Sequence, residues 1–208
     1  IRLEQECDEY EDIIGTYLVK LSGHDLSRED GQMMSLVLHA INDYERISDH
    51  AINVVEAAQE MQAKGISLTS RGSLELDAFG TAIRDILMIT DEAFISSDRN
   101  KARQIEPLEE VVDNLSAEMR QRHIDRLRKG LCSMEAGIIL EDILIYFERV
   151  SDHCSNIALC LIEIGEDSFG RHEYASEKTK GSDPEFQSTY TRMRNRYTLP
   201  KIQEGTVG

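Results

Sequence analysis

Apolar side chains recur at intervals of three and four residues along most of the chain, which is typical of helices that bury one face. No segment alternates strictly between apolar and polar residues over a strand's length, so no strand competes with these helices. The sequence therefore predicts an all-α protein. The predicted helices span residues 1–21, 27–64, 73–95, 99–128, 132–164 and 184–197.

Several helix boundaries are marked by residues that favour starts and stops. Ser27 stands three residues before Asp30, as in a capping box, where a hydroxyl accepts a hydrogen bond from an exposed amide. Gly65 can end the second helix in a left-handed conformation. Pro107 disturbs a helix interior, so the sequence predicts a kink there or a later start of the fourth helix.

The charge of the chain narrows its partners. It has 39 acidic against 23 basic residues and a formal net charge of -16. This balance argues against nucleic acid as a partner, because binding to phosphates needs a basic surface. An acidic surface suits cations, although good solvation is its simplest explanation.

The sequence shows neither a membrane span nor a signal peptide. No apolar run reaches the roughly 18 residues that a span needs, and no basic segment precedes an apolar one at the start. Because the helical pattern begins at Ile1, we interpret the chain as a piece of a longer protein, in which any membrane part comes earlier. Four cysteines without metal-site spacing are predicted to be reduced, mostly buried thiols of a cytoplasmic protein. They are Cys7, Cys132, Cys154 and Cys160.

One polar pattern occurs twice, 103 residues apart. Residues 38–53 read LHAINDYERISDHAIN, and residues 141–156 read EDILIYFERVSDHCSN. Six of the 16 positions are identical, namely a Glu, an Arg, a Ser, an Asp, a His and an Asn. A repeat that serves only packing keeps its apolar residues, so the retention of polar residues indicates a chemical role.

The repeated acids form columns along the helices. Glu45 and Asp49 are four residues apart and lie on one helix face, as do Glu148 and Asp152. Two carboxylates one turn apart repel each other, and a multivalent cation between them removes that repulsion.

The helix before each repeated segment carries a matching acidic pair. Glu4 and Asp8 precede the first segment and Glu109 and Asp113 the second, so that paired aspartates are 41 and 39 residues apart. Each half is thus predicted to be an antiparallel helix pair with four converging carboxylates, a donor set that suits hard or borderline cations. The candidate metal ligands are Glu4, Asp8, Glu45, Asp49, Glu109, Asp113, Glu148 and Asp152.

Simpler interpretations stand beside this one. Acids four residues apart arise by chance about seven times in a chain so acidic, and they usually mark a solvated face. Arg46 and Arg149 are interpreted as salt bridges to a neighbouring helix, rather than as support for a ligand carboxylate. His50 and His153 lie about 100° around the helix from the aspartates, so we interpret them as packed or hydrogen-bonded rather than as ligands.

The doubled E-R-[IV]-x-D-H-x-x-N pattern resembles the signature of the PhoU family, over residues 1 to about 165. The resemblance implies tandem three-helix bundles, iron, zinc or nickel clusters on the paired acidic motifs, and regulation of phosphate uptake. Each family repeat has a helix before its first acidic helix, and only the second repeat has one here, at 73–95. The implied units are a two-helix first repeat (1–65), a three-helix second repeat (66–165) and a polar tail with one short helix (166–208).

The tail carries a second resemblance. Residues 171–174 (RHEY), with Phe186, Tyr190 and residues 197–200 (YTLP), are similar to the C-terminal tail of bacterial sodium/phosphate cotransporters that carry a PhoU-like domain. This implies a regulatory domain, not an enzyme, on the cytoplasmic side of the cell membrane. Its partners would be the transporter membrane domain in the same full-length chain and a second copy in a homodimer. Direct contact with phosphate is left open.

Two other functions remain as alternatives. A metal-free helical adaptor or dimerisation domain would leave the acidic columns in water. A carboxylate-bridged di-metal enzyme would use Glu-x-x-His on two helices. No histidine of this chain has a glutamate three residues before it, which argues against the enzyme.

Overall fold

The computed structural model describes residues 2–163 and 183–201, and within them it contains helices and no strand. The all-α prediction is confirmed. No helix among these residues is long and apolar enough to cross a membrane. The tail segment 171–174 lies outside the described residues. The helices are α1 (Arg2–Leu21), α2 (Arg28–Lys64), α3 (Ser70–Ser96), α4 (Arg99–Ala102), α5 (Ile105–Arg128), α6 (Met134–Glu163) and α7 (Pro184–Arg196).

The predicted caps form as expected. The Ser27 hydroxyl accepts a hydrogen bond from the Asp30 amide at 3.1 Å. Gly65 ends α2 with φ at +64°, a conformation in which a side chain would be strained. The fourth predicted helix is divided into α4 and α5, and Pro107 lies in the first turn of α5, where no intrahelical partner for an N–H is needed.

Two antiparallel helix hairpins meet along their second helices. α1 packs on α2, α5 packs on α6, and the most extensive helix–helix contact joins α2 to α6. Asp43 of α2 meets His153 of α6, whereas Ala57 packs near Ile139 and Ile143, so α2 and α6 run in opposite directions. The contact between α2 and α6 packs the two hairpins together. The division of the chain into two repeats at residue 65 stays a prediction.

The core lies mainly in the second hairpin and in α3, which packs on both α5 and α6. Phe79, Ile86, Leu108 and Leu144 are almost completely buried there. Among the described helices α1 packs extensively on α2 alone, so apolar side chains of α1 remain in contact with solvent. The exposed side chains of α1 include Leu3, Tyr10, Ile13, Tyr17 and Val19.

The tail helix α7 packs on α5. Phe186 and Met193 are buried. Tyr197 Oη donates a hydrogen bond to Asp85 Oδ2 at 2.6 Å, and Arg196 Nη2 donates to the same oxygen at 2.7 Å. The described part of the tail therefore completes the second half of the molecule.

All four cysteines are free thiols. Cys154 is fully buried, and burial raises the pKa of its thiol to about 12. Cys132 and Cys160 are half-buried, but Cys7 is exposed. The expectation of mostly buried cysteines is wrong for Cys7, because it lies on the uncovered side of α1.

Candidate functional site

Three predicted carboxylates of the first hairpin converge between α1 and α2. Glu4, Asp8 and Asp49 each place a carboxylate oxygen within 4.8 Å of the others. Oxygen Oδ1 of Asp8 is enclosed by protein and has no hydrogen-bond partner. A buried acceptor without a donor is costly, and a bound cation would satisfy it.

Glu45, the fourth predicted ligand of this half, lies beside the same cluster. Burial raises the pKa of Glu45, and the negative charges of Asp49 and Asp8 raise it further, while Arg46 opposes the shift. Arg46 is 61% exposed, and its guanidinium nitrogens stay 3.5 Å from Glu45 and from Asp49. This exposed arginine compensates only part of the negative charge of four neighbouring carboxylates.

The raised pKa of Glu45 gives a prediction with opposite signs for stability and metal affinity. When the pKa of a carboxyl group is higher in the folded than in the unfolded state, the fold loses stability as pH rises through that interval. The ionised form of Glu45 therefore destabilises the folded chain. We expect Glu45→Gln to leave the metal-free chain unchanged or more stable by about a few tenths of a kcal/mol, and to weaken metal binding if the cluster holds a cation.

Urea unfolding in the presence of a chelator would measure the stability of the metal-free chain, and a metal titration would measure its metal affinity. Glu56→Gln is the control, because Glu56 is an exposed glutamate of the same helix two turns beyond Asp49. A loss of stability above about 1 kcal/mol in chelated Glu45→Gln would mean that this carboxylate has a structural role.

The second hairpin arranges its four acids less closely. Glu109 and Asp152 line one open cavity of about 310 Å³, together with Arg149 and His153. Asp113 is exposed on α5. Among residues 2–163 and 183–201, no group of three acids in this half meets as the acids of the first half do.

Glu148 is held by an arginine that the sequence analysis did not single out. Arg120 of α5 donates from Nη1 to Glu148 Oε1 at 2.7 Å and from Nη2 to Oε2 at 2.9 Å. Its Nε donates to Glu141 Oε1 at 2.8 Å. Burial is the largest single influence on the pKa of Glu148 and works to raise it, but the hydrogen bonds and charge of Arg120, together with Ser116 and the charge of Arg149, lower the pKa overall.

The repeated histidines pack against each other where α2 crosses α6. The rings of His50 and His153 are stacked with centroids 5.6 Å apart, and His50 also stacks on Tyr146. His153 Nδ1 lies 2.8 Å from Asp43 Oδ1, which also accepts from the Asn156 amide at 3.3 Å. The interpretation of both histidines as packed or hydrogen-bonded is confirmed. Asp43 was missed because the repeat has Tyr146 at its equivalent position.

Among residues 2–163 and 183–201, the ion pairs of each of the two repeated arginines lie within a single helix. Arg46 contacts Glu45 and Asp49, and Arg149 contacts Asp152 at 3.4 Å, all within the arginine's own helix. The expectation of interhelical salt bridges is wrong, because an aspartate three residues further on is within reach of each guanidinium.

Comparisons with known proteins agree with this architecture. The family model described as "PhoU domain" matches residues 1–58 and 77–161. A phosphate-specific transport system accessory protein PhoU homolog 1 from Thermotoga maritima is 27% identical over 132 residues, covering 62% of this chain and 56% of that protein. The chain thus spans little more than half the length of this relative.

Two further proteins extend the likeness. A PhoU homolog from Borreliella burgdorferi, also described as an accessory protein of phosphate-specific transport, is 23% identical over 171 residues, covering 78% of this chain and 75% of that protein. The crystal structure of PhoU from Pseudomonas aeruginosa has a TM-score of 0.66 at 21% identity, covering 78% of this chain and 80% of that chain. Since the family model matches both hairpins, the chain belongs to the PhoU family.

Proposed function

We propose that this chain is the metal-binding regulatory domain of a sodium-dependent phosphate transporter and not an enzyme. In this proposal it binds multinuclear iron, zinc or nickel clusters on its paired acidic motifs. It acts on the cytoplasmic side of the membrane, where the transporter's membrane domain belongs to the same full-length chain. Family membership supports the connection with phosphate transport.

The observation that carries the metal proposal is the convergence of Glu4, Asp8 and Asp49. Three carboxylates with oxygens within 4.8 Å of each other repel when they lack a cation, and Asp8 Oδ1 lacks any hydrogen-bond donor. Glu45 adds a fourth carboxylate at their edge. Oxygen donors of this kind fit hard and borderline cations, and residues of two helices would hold the metal so that it ties α1 to α2.

The transporter context rests on the tail, and part of that tail also has a packing role. Phe186, Tyr197 and Leu199 are buried against the second half of the molecule, so they are explained by packing as well as by resemblance. The sodium/phosphate cotransporter is accordingly a proposal drawn from the tail pattern. Whether phosphate touches this domain stays open within it.

A metal-free adaptor or dimerisation domain is the second candidate. It is favoured by the exposed apolar side of α1, where Leu3, Tyr10 and Ile13 are 63–70% exposed. Arg120 supports it too, because an arginine already neutralises one predicted ligand of the second half. The two candidates differ in whether the purified chain retains metal.

Elemental analysis of the chain beside the double variant Asp49→Ala/Asp152→Ala tests the proposal. We expect several equivalents of a transition metal per wild-type chain, after incubation with iron, zinc or nickel salts, and a large loss in the double variant. The loss follows because each substitution removes one carboxylate from one predicted site.

A matched control separates specific sites from general attraction by the acidic surface. Glu56→Ala/Asp77→Ala removes the same charge from two exposed positions that are not predicted ligands, Glu56 two turns beyond Asp49 and Asp77 on α3, and is expected to retain the metal. Metal retained equally by both double variants would point to diffuse attraction. No metal in any of the three proteins would favour the adaptor.

A further inference from the structure

The two halves differ in what faces the repeated glutamate. Glu148 receives two parallel hydrogen bonds from Arg120, whose third bond goes to Glu141. The Arg120 side chain is 29% exposed and the Glu148 side chain 23% exposed. A paired, half-buried contact of this geometry is among the stronger arginine–carboxylate interactions.

The first half has no arginine at the equivalent position. Arg120 follows Asp113 by seven residues, and the residue seven after Asp8 is Gly15. The first half also lacks an equivalent of Glu141, the second carboxylate that holds Arg120, because Glu141 aligns with Leu38 in the repeat. A side chain at Gly15 would have room, since an added Cβ would meet only Ile41 Cδ1, at 3.9 Å.

We propose that Arg120 acts as an internal counter-ion that competes with metal for Glu148, so that the α1–α2 half binds metal before the α5–α6 half. This inference rests on the proposed metal-binding function. It makes the two sites unequal, with metal held directly at the first and admitted at the second only when the guanidinium leaves Glu148.

The charges of the two halves explain this order. In the first half the nearest arginine, Arg46, is exposed and its nitrogens stay 3.5 Å from the carboxylates of Glu45 and Asp49. A metal ion that binds there therefore breaks only weak ion pairs. In the second half a metal ion must break both bonds from Arg120 and leave its positive charge beside the new cation. The α5–α6 half thus binds metal only at a higher metal concentration than the α1–α2 half.

Zinc titration of single-site variants tests the competition. Asp49→Asn leaves the α5–α6 site and Asp152→Asn leaves the α1–α2 site, and zinc bound per chain is measured by equilibrium dialysis and native mass spectrometry. We expect the α1–α2 site to bind zinc at least about tenfold more tightly. Adding Arg120→Gln to Asp49→Asn is expected to raise the zinc affinity by a similar factor.

Arg128→Gln is the charge control, because Arg128 is a 74% exposed arginine of the same helix that pairs only loosely with Asp125. It should leave zinc affinity nearly unchanged. The reciprocal variant Gly15→Arg, added to Asp152→Asn, should weaken zinc binding in the first half, whereas Gly15→Gln should not. If Arg120→Gln loses its helical circular dichroism and is therefore unfolded, the comparison of Gly15→Arg with Gly15→Gln tests the competition instead.

The outcomes separate the inference from the function on which it rests. Equal zinc affinity with and without Arg120→Gln, in a folded Asp49→Asn chain that binds zinc, would overturn the competition and leave metal binding intact. Preferred loading of the α5–α6 half in the wild type would overturn it as well. Zinc bound by neither half in any variant would overturn the proposed function together with the inference.

Discussion

Replacing Glu75 with alanine is expected to lower the free energy of unfolding by about 3 kcal/mol. Glu75 is only 3% exposed, and its two oxygens accept hydrogen bonds from Arg122 at 3.0 Å and Arg126 at 2.7 Å. Both guanidiniums are nearly buried, so the variant leaves two positive charges without their shared partner. The expected loss lies at the lower end for a broken buried pair, because Arg122 keeps its bond to Glu118.

Urea denaturation of the chain and of a matched variant would measure this loss. Glu92→Ala is the control, since Glu92 is a 52% exposed glutamate of the same helix that pairs with Lys101 at 2.8 Å. An exposed pair of this kind contributes about 0–1 kcal/mol. Similar losses in the two variants would mean that the burial of the Glu75 pairs adds nothing to stability.

The helices could be predicted from sequence because their signals are local. The helices and their ends are determined by residues one or two turns away. These signals are the periodic apolar residues, the hydroxyl of Ser27 and the backbone conformation of Gly65. Pro107 allowed either a kink or a later start, and the start at Ile105 follows because proline is compatible with a first turn. Where α7 packs could not be predicted, since its contacts with α5 join residues far apart in sequence.

The candidate site was predictable to the extent that it repeats. Glu4, Asp8, Glu45 and Asp49 were identified from spacing alone, and the structure places them in one region between α1 and α2. The same reasoning treated both halves as equal. It could not anticipate Arg120, because an arginine on α5 becomes a partner of Glu148 only when two helices pack.

Exposure was the other property that sequence patterns described poorly. Cys7 and Tyr10 belong to the apolar pattern of α1, yet both are exposed, because burial needs a covering helix as well as an amphipathic one. Leu108 and Leu115 of α5, in the corresponding part of the second hairpin, are buried, and both α3 and α7 pack on α5. The difference between the halves therefore comes from these covering helices and not from the hairpins themselves.

Adding zinc, nickel or iron is expected to raise the melting temperature of the chain by about 5–10 °C when the metal is at a hundred times its dissociation constant. Binding only to the folded state contributes about 2.7 kcal/mol under that condition. The physical source would be relief of the repulsion among Glu4, Asp8 and Asp49, together with a partner for Asp8 Oδ1.

Asp8→Asn should lose most of this shift while the metal-free chain stays as stable or becomes slightly more stable, because one repelling charge has gone. Asp77→Asn, at an exposed position of α3, should keep the full shift. A metal-dependent rise of equal size in both variants would mean that the stabilisation arises outside the first hairpin. A rise seen only when Asp8 is present, and reversed by a chelator, would tie the stability of the domain to metal held between α1 and α2.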